Sequence, residues 1–82
     1  MALAAREGPY EVQVYPRDHP PPHAHVFSPD GEWKVALGDP ATGVRLIAAP
    51  VGALAKKTRE AVALVASHRE ACVQKWRQFH GN

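Results

Sequence analysis

The sequence predicts an α+β fold, in which a small antiparallel sheet of three to four strands is packed on one face by a C-terminal helix or a kinked helix pair. Residues 10–48 alternate apolar and polar side chains with a period of two, between turns rich in Pro, Gly and Asp. After Pro50 the apolar spacing changes to three, four or seven residues, the period of an amphipathic helix. We therefore expect a single domain of 82 residues, with a sheet over 9–49 and helix over 51–80.

The predicted strands follow one another along the first half of the chain. The first runs from Tyr10 to Tyr15, and we expect residues 1–8 before it to be flexible because they lack a clear pattern. A hairpin is predicted over residues 23–37, because its centre, SPDG at 28–31, has the composition of a tight turn. A short fourth strand is predicted over residues 44–48.

The helical region contains a candidate break. Ser67 and Glu70 have the spacing of a capping box, which favours two helices meeting at Ser67 over one long helix. We expect the helical part to bury one sheet face, with Trp33 and Trp76 as core anchors and Cys72 as a small buried residue. The predicted sheet side of this core consists of Val12, Val14, Ala24, Val26, Trp33, Val35 and Leu37.

Composition limits the classes of function. A single cysteine rules out an internal disulfide and a cysteine-rich zinc site, which fits a reducing compartment. No apolar run approaches the ~20 residues of a membrane span, and the N-terminus lacks the pattern of a signal peptide. We therefore expect a cytoplasmic protein that does not engage a membrane. Because an 82-residue chain has a thin core, a homodimer is one way to stabilise it.

Charge is distributed unevenly along the chain. Residues 1–50 carry four basic and six acidic residues, a net of −2, whereas residues 51–82 carry six basic and two acidic residues, a net of +4. A basic C-terminal half is suited to RNA, DNA or an acidic protein. The alternative is a solvated helix face, which the interspersed apolar residues favour.

The most unusual stretch is RDHPPPHAHVF at residues 17–27, with three of the five histidines in seven positions around three prolines. The prolines enforce an extended, stiff connection. A period of two then places His23 and His25 on the open face of the sheet, near Gln13, Tyr15 and Lys34. We expect both imidazoles to be displayed to solvent by a rigid scaffold.

Three interpretations of this stretch compete. In the first, His23 and His25, roughly 6–7 Å apart at Cα, chelate a divalent metal such as zinc, with His19 or Asp18 as a third ligand. In the second, the histidines perform metal-free acid–base catalysis on a phosphodiester. The candidate catalytic residues are His19, His23, His25 and Asp18, and the candidate substrate-binding residues are Arg17, Lys34 and Tyr15. In the third, the loop is purely structural and the prolines reduce its entropy when unfolded.

The same residues resemble a known family. Asp18-His19-Pro20-Pro21-Pro22-His23-Ala24-His25-Val26 is similar to the signature of short bacterial proteins grouped as domain of unknown function 4160. The stretch SHREACVQKW, residues 67–76, resembles the family's usual ending, so the likeness covers about residues 10 to 79. The chain departs from the pattern at Pro20, where a polar residue is usual, and at Ala24, where a larger apolar one is common.

The resemblance implies a biological context rather than a reaction. Such proteins are typically encoded beside another short protein, and the pair looks like a toxin–antitoxin module with this family in the toxin role. It implies an antitoxin-like partner and makes RNA or a nucleotide a reasonable target. The alternative is a non-catalytic module that binds protein or DNA and uses its histidines structurally. His68 is expected at the surface, and His80 is expected to be frayed.

Overall fold

The computed structural model describes residues 2–81 and contains one antiparallel sheet followed by two helices. The strands lie side by side in chain order, so each is paired with its sequence neighbours. The elements are β1 (Ala2–Glu7), β2 (Tyr10–Val14), β3 (His23–Ser28), β4 (Gly31–Ala36), β5 (Arg45–Ala48), α1 (Ala55–Ser67) and α2 (Arg69–His80).

The α+β class is confirmed, but the sheet has five strands rather than three to four. The additional strand is β1, in the segment that we expected to be flexible. It forms an antiparallel hairpin with β2, with Glu7 opposite Tyr10 and Gly8 turning the chain at a φ of +54°. Its Ala-rich sequence has no strict alternation, so tertiary pairing with β2, and not local propensity, makes it a strand.

The helices cover one face of the sheet, as predicted. Trp33 is fully buried and Trp76 is 6 % exposed, so both act as core anchors. The Trp33 indole N–H also donates to the Thr58 hydroxyl at 3.1 Å, which satisfies its polar atom within the interface. The core consists of Tyr10, Val12, Val14, Ala24, Val26, Trp33, Val35, Leu37, Ala61, Leu64, Val65, Cys72 and Trp76.

Two helices meet where a break was predicted, but the capping box is wrong. α1 ends at Ser67 and α2 begins at Arg69, with His68 between them. The Ser67 hydroxyl donates back to the Ala63 carbonyl at 2.9 Å and does not cap α2. A serine in the last turn of a helix has this nearby carbonyl as an acceptor, and here it competes successfully with the capping arrangement.

Long-range polar contacts fix α2 against the sheet. The Arg69 guanidinium donates to the carbonyls of Leu37 and Gly38 at 2.7 and 2.6 Å, at the end of β4. At the helix junction, His68 contacts the Glu7 carboxylate of β1 at 2.7 Å. Within residues 2–81, no helix has the length and apolar character needed to cross a bilayer.

The tyrosine at the start of β2 predicts a specific loss of stability in alkali. Burial and a 2.7 Å hydrogen bond to Glu60 raise the pKa of Tyr10 from 10.0 to about 12. The contribution of the neutral Tyr10 hydroxyl to the free energy of unfolding is therefore complete below pH 10, and it is lost as the pH rises towards 12. We expect Tyr10→Phe to cost about 0.5–1.5 kcal/mol at pH 7 and to weaken the alkaline loss, measured by urea unfolding at pH 7 and pH 11.

Some alkaline loss should remain in this variant, because burial also raises the pKa of the Cys72 thiol to about 11. An unchanged dependence of the unfolding free energy on pH between the wild type and Tyr10→Phe would contradict the assignment.

Candidate metal centre

The alternation of β3 separates its two histidines from the core. Ala24 and Val26 are fully buried beneath the helices, so His23 and His25 point to the other side of the sheet. Their ring centroids are 5.1 Å apart. The two imidazoles therefore share one side of the sheet, in the arrangement that the period of two predicts.

The prediction that both rings are displayed to solvent is wrong, because His25 is buried and His23 is mostly buried. Its side chain is 5 % exposed and that of His23 is 12 % exposed. The connection between β2 and β3 lies over the rings: the Tyr15 ring is 4.3 Å from that of His25 and Asp18 contacts both histidines. Strand alternation predicts which face of the sheet a side chain occupies, but not whether a loop covers that face. For this reason the sequence predicted too much solvent exposure for the two rings.

Asp18 joins the two histidines through a single oxygen. Its Oδ2 lies 2.7 Å from His25 Nε2 and 3.1 Å from His23 Nε2. One oxygen and two nitrogens, each able to ligate a metal, thus lie within 4.8 Å of one another. The Asp18–His23–His25 cluster, formed by these three residues, is the site at which chemistry is most plausible.

The other nitrogen of each ring faces an oxygen as well. His23 Nδ1 lies 2.9 Å from the backbone carbonyl of Pro21, which only accepts, so this nitrogen carries the proton. His25 Nδ1 makes a short contact with the Glu32 carboxylate and its Nε2 lies 2.7 Å from Asp18 Oδ2, so either nitrogen donates to a carboxylate when it carries the proton. The Nε2 atoms of both rings are directed at Asp18 Oδ2.

This arrangement has two chemically balanced forms. If both rings are imidazolium, all four N–H groups donate to oxygen and the two positive charges match Asp18 and Glu32. If both rings are neutral, their Nε2 lone pairs and Asp18 Oδ2 form a set of two nitrogens and one oxygen, and the same two carboxylates match a divalent cation.

The donor set fits a small transition-metal ion. Tetrahedral zinc with bonds of 2.0–2.1 Å separates its ligand atoms by about 3.3 Å. The two distances to Asp18 Oδ2, 2.7 and 3.1 Å, are shorter than that value by about 0.6 and 0.2 Å. Asp18 is on a loop and its side chain is 22 % exposed, so a small rotation can supply the difference.

The remaining predicted site residues are dispersed. His19 is exposed and is not part of the cluster, so it is not the third ligand that the sequence allowed. Arg17, next to Asp18, and Lys34, the cross-strand partner of His25, are exposed, and neither forms an ion pair within the part of the chain that the structure describes. Tyr15 packs against His25 with its ring tilted by 40°, and burial, with the nearby charges of Glu32 and Asp18, raises the pKa of Tyr15.

Three residues of the site were missed by sequence reasoning. Glu32 was not among the predicted site residues, yet it contacts His25. Trp76 lies with its ring 5.6 Å from that of His23, and His80 stacks on Trp76 at 3.9 Å. His80 also contacts the Tyr15 carbonyl at 3.3 Å, so the expectation that it is frayed is wrong.

The sequence did contain a signal for one of these residues. In the hairpin register, Lys34 is opposite His25 and Glu32 is opposite Phe27, so Glu32 is a diagonal neighbour of His25 on the same face. No comparable local signal places the end of α2 beside β3, because that contact depends on tertiary packing.

The antiparallel sheet, the paired helices and the Asp18–His23–His25 cluster define a small α+β protein with a histidine-rich centre. A family model matches residues 10–77, and the chain belongs to this family, described as Domain of unknown function (DUF4160). The match includes every residue of the cluster. Comparisons with curated proteins and with solved structures give no match.

The geometry predicts different costs for removing two histidines that both contact carboxylates. We expect His25→Ala to lower the free energy of unfolding by about 1–3 kcal/mol, because it leaves Asp18 and Glu32 without their shared donor. His68→Ala is the matched control: its ring is 34 % exposed and Glu7 is 61 % exposed, so its loss should cost at most about 1 kcal/mol. Urea unfolding at pH 7 measures both, and equal costs would contradict the central position of His25.

Proposed function

We propose that this protein binds one divalent transition-metal ion at Asp18, His23 and His25 and acts on a phosphodiester, as the toxin-like member of a bacterial toxin–antitoxin pair. The observation that carries the metal site is the convergence of both Nε2 atoms on Asp18 Oδ2, with both Nδ1 atoms held by other oxygens. This arrangement is typical of metal-binding histidines, whose second nitrogen donates to a carboxylate or a backbone carbonyl.

The same contacts favour a metal over metal-free acid–base catalysis. An imidazole that acts as acid or base needs one nitrogen within reach of the substrate. Here all four ring nitrogens of His23 and His25 contact oxygens of Pro21, Asp18 and Glu32, and the His25 side chain is 5 % exposed. Two nitrogens and one carboxylate oxygen suit zinc and its neighbours better than magnesium or calcium, which prefer oxygen ligands.

A phosphodiester is the substrate class that the surroundings favour. When bound, a divalent ion supplies a Lewis acid for a phosphoryl oxygen. Arg17 and Lys34 are exposed; Arg17 is adjacent to Asp18 in sequence, and Lys34 is opposite His25 across the strands. Their role is to bind and orient phosphate oxygens, with Arg17 able to do so through two N–H groups. Tyr15 holds the His25 ring in place by packing its own ring against it.

The toxin role and the RNA target rest on the family. The likeness of this chain to DUF4160 includes the histidine signature, and it is that signature which builds the cluster. A cognate antitoxin-like protein is the partner that such a role requires, and the basic C-terminal half, with a net charge of +4 over residues 51–82, suits an RNA target.

Metal binding is the first test. We expect the wild type to bind one Zn²⁺ or Co²⁺ per chain, measured by native mass spectrometry and calorimetry after treatment with a chelator. Binding should stabilise the folded state by about 2.7 kcal/mol at a metal concentration 100 times Kd, observed as a raised Tm.

The double variant His23→Ala, His25→Ala should lose this binding, while His68→Ala, which removes a histidine outside the cluster, should retain it. A wild type that takes up no ion at micromolar metal, or a double variant that binds as the wild type does, would contradict the metal site.

Biological activity is the second test. Expression of the wild type in a bacterial host should slow growth, and the purified protein should cleave RNA in a metal-dependent way. The double variant should do neither, and His68→Ala should behave as the wild type. Growth that is unaffected by the wild type would remove the toxin role without removing the metal site.

A second candidate function has one observation in its favour. His25 is buried and both of its nitrogens are already bonded to protein oxygens, as is usual for a structural histidine in a non-catalytic binding module. This candidate predicts that the double variant has a lower Tm, that chelators have no effect, and that a partner protein or DNA still binds. Metal-dependent stabilisation of the wild type would exclude it.

A further inference from the structure

We infer that Glu32 is a positioning residue for the metal site: its carboxylate holds the proton of His25 on Nδ1, so that Nε2 is presented as a ligand. The inference deepens the proposed function, and its metal arm depends on that function. Glu32 is not a ligand in this assignment, because Asp18, His23 and His25 supply the three converging atoms.

The contact is built into the sheet. The turn that begins β4 aligns Ser28 with Gly31, and this register places Glu32 diagonally across from His25 on the face opposite the core. A register shift of one residue would move Glu32 to the core face. The contact therefore depends on strands and not on a loop, which suits a residue that must hold a ring in one orientation.

The two histidines differ in how their protons are fixed. The acceptor for His23 Nδ1 is the backbone carbonyl of Pro21, which no substitution removes. The acceptor for His25 Nδ1 is the Glu32 side chain. Within residues 2–81, Glu32 is thus the side chain that influences the tautomer of a ligand, His25, without being a ligand itself. A substitution of Glu32 removes this influence.

Losing the acceptor has a defined chemical consequence. A neutral imidazole carries one proton, and the hydrogen bond of one nitrogen decides whether the other has a lone pair. Without Glu32 the proton is free to move to Nε2, which then donates to Asp18 and cannot bind a metal. The carboxylate also makes the ring a stronger donor to the ion and supplies the second of the two negative charges that match a divalent cation.

The test compares Glu32→Ala, Glu32→Gln and Glu11→Ala. Glu11 is a matched control because it lies on β2, which flanks β3 on the side away from Glu32, and contacts Arg6, outside the Asp18–His23–His25 cluster. We expect Glu32→Ala to lower Zn²⁺ affinity by about 10- to 100-fold in calorimetry at pH 7.5. Glu32→Gln keeps an oxygen acceptor and should lose less, whereas Glu11→Ala should bind as the wild type does.

The second measurement needs no metal. The ¹⁵N shifts of the His25 ring distinguish the two tautomers, and in the metal-free wild type, where Glu32 at Nδ1 and Asp18 at Nε2 compete for the proton of the neutral ring, we expect a measurable Nδ1–H population. Glu32→Ala should shift the population towards Nε2–H, while His23 keeps its Nδ1–H form through Pro21. If the Glu32–His25 contact were only structural, Glu32→Ala would lower Tm without changing the tautomer of His25.

The outcomes separate the two proposals. Zn²⁺ affinity in Glu32→Ala equal to that of the wild type, or an unchanged His25 tautomer, would overturn the inference while leaving the metal site intact. A wild type that binds no metal would overturn the metal site, and the tautomer comparison would still decide the role of Glu32. A loss of the Nδ1–H form at His25 and not at His23 in Glu32→Ala, partly restored in Glu32→Gln, would support the role of Glu32.

Discussion

The site depends on one carboxylate oxygen. Asp18 Oδ2 is the common partner of His23 and His25, at 3.1 and 2.7 Å, and it ties the β2–β3 connection to the open face of the sheet, together with Tyr15 against His25 and the Pro21 carbonyl on His23. Without Asp18 the two rings would have no shared partner. The convergence of the two Nε2 atoms therefore depends on this one oxygen.

β3 serves the core and the site at the same time. Ala24 and Val26 fill the interface with the helices, and the histidines that alternate with them build the cluster on the other face. Because strand side chains alternate strictly, the apolar packing that fixes the register also fixes the direction of both imidazoles. In a chain with a thin core, this coupling gives the site rigidity that a loop alone would not provide.

Strong local patterns in the sequence were sufficient for much of this structure. The alternation in β2, β3 and β4 and the helical period after Pro50 were enough for the α+β class, the side of the sheet that is buried and the shared face of His23 and His25. Asp18 could be predicted as a site residue because it lies in the same short stretch as the histidines. β1 was missed because its pairing with β2, and not its own pattern, makes it a strand.

What the sequence could not provide is set by long-range packing. His25 is buried by Tyr15 and Asp18, which precede it by 10 and 7 positions, and the Trp76–His80 pair reaches the site from the far end of the chain. Each of these contacts depends on where a loop or helix end comes to rest. The exclusion of His19 has the same origin: it is adjacent to Asp18 in sequence, but the loop directs only Asp18 to the cluster.

Burial differs between the rings of the site and the carboxylates beside them. The exposed fraction of the side chain is 5 % at His25 and 12 % at His23, but 22 % at Asp18 and 41 % at Glu32. The two imidazoles are therefore closed off from solvent, whereas both carboxylates that contact His25 are open to it. The loop that covers the histidines thus closes over the rings whose orientation must be fixed, and it leaves the charged oxygens beside them within reach of water.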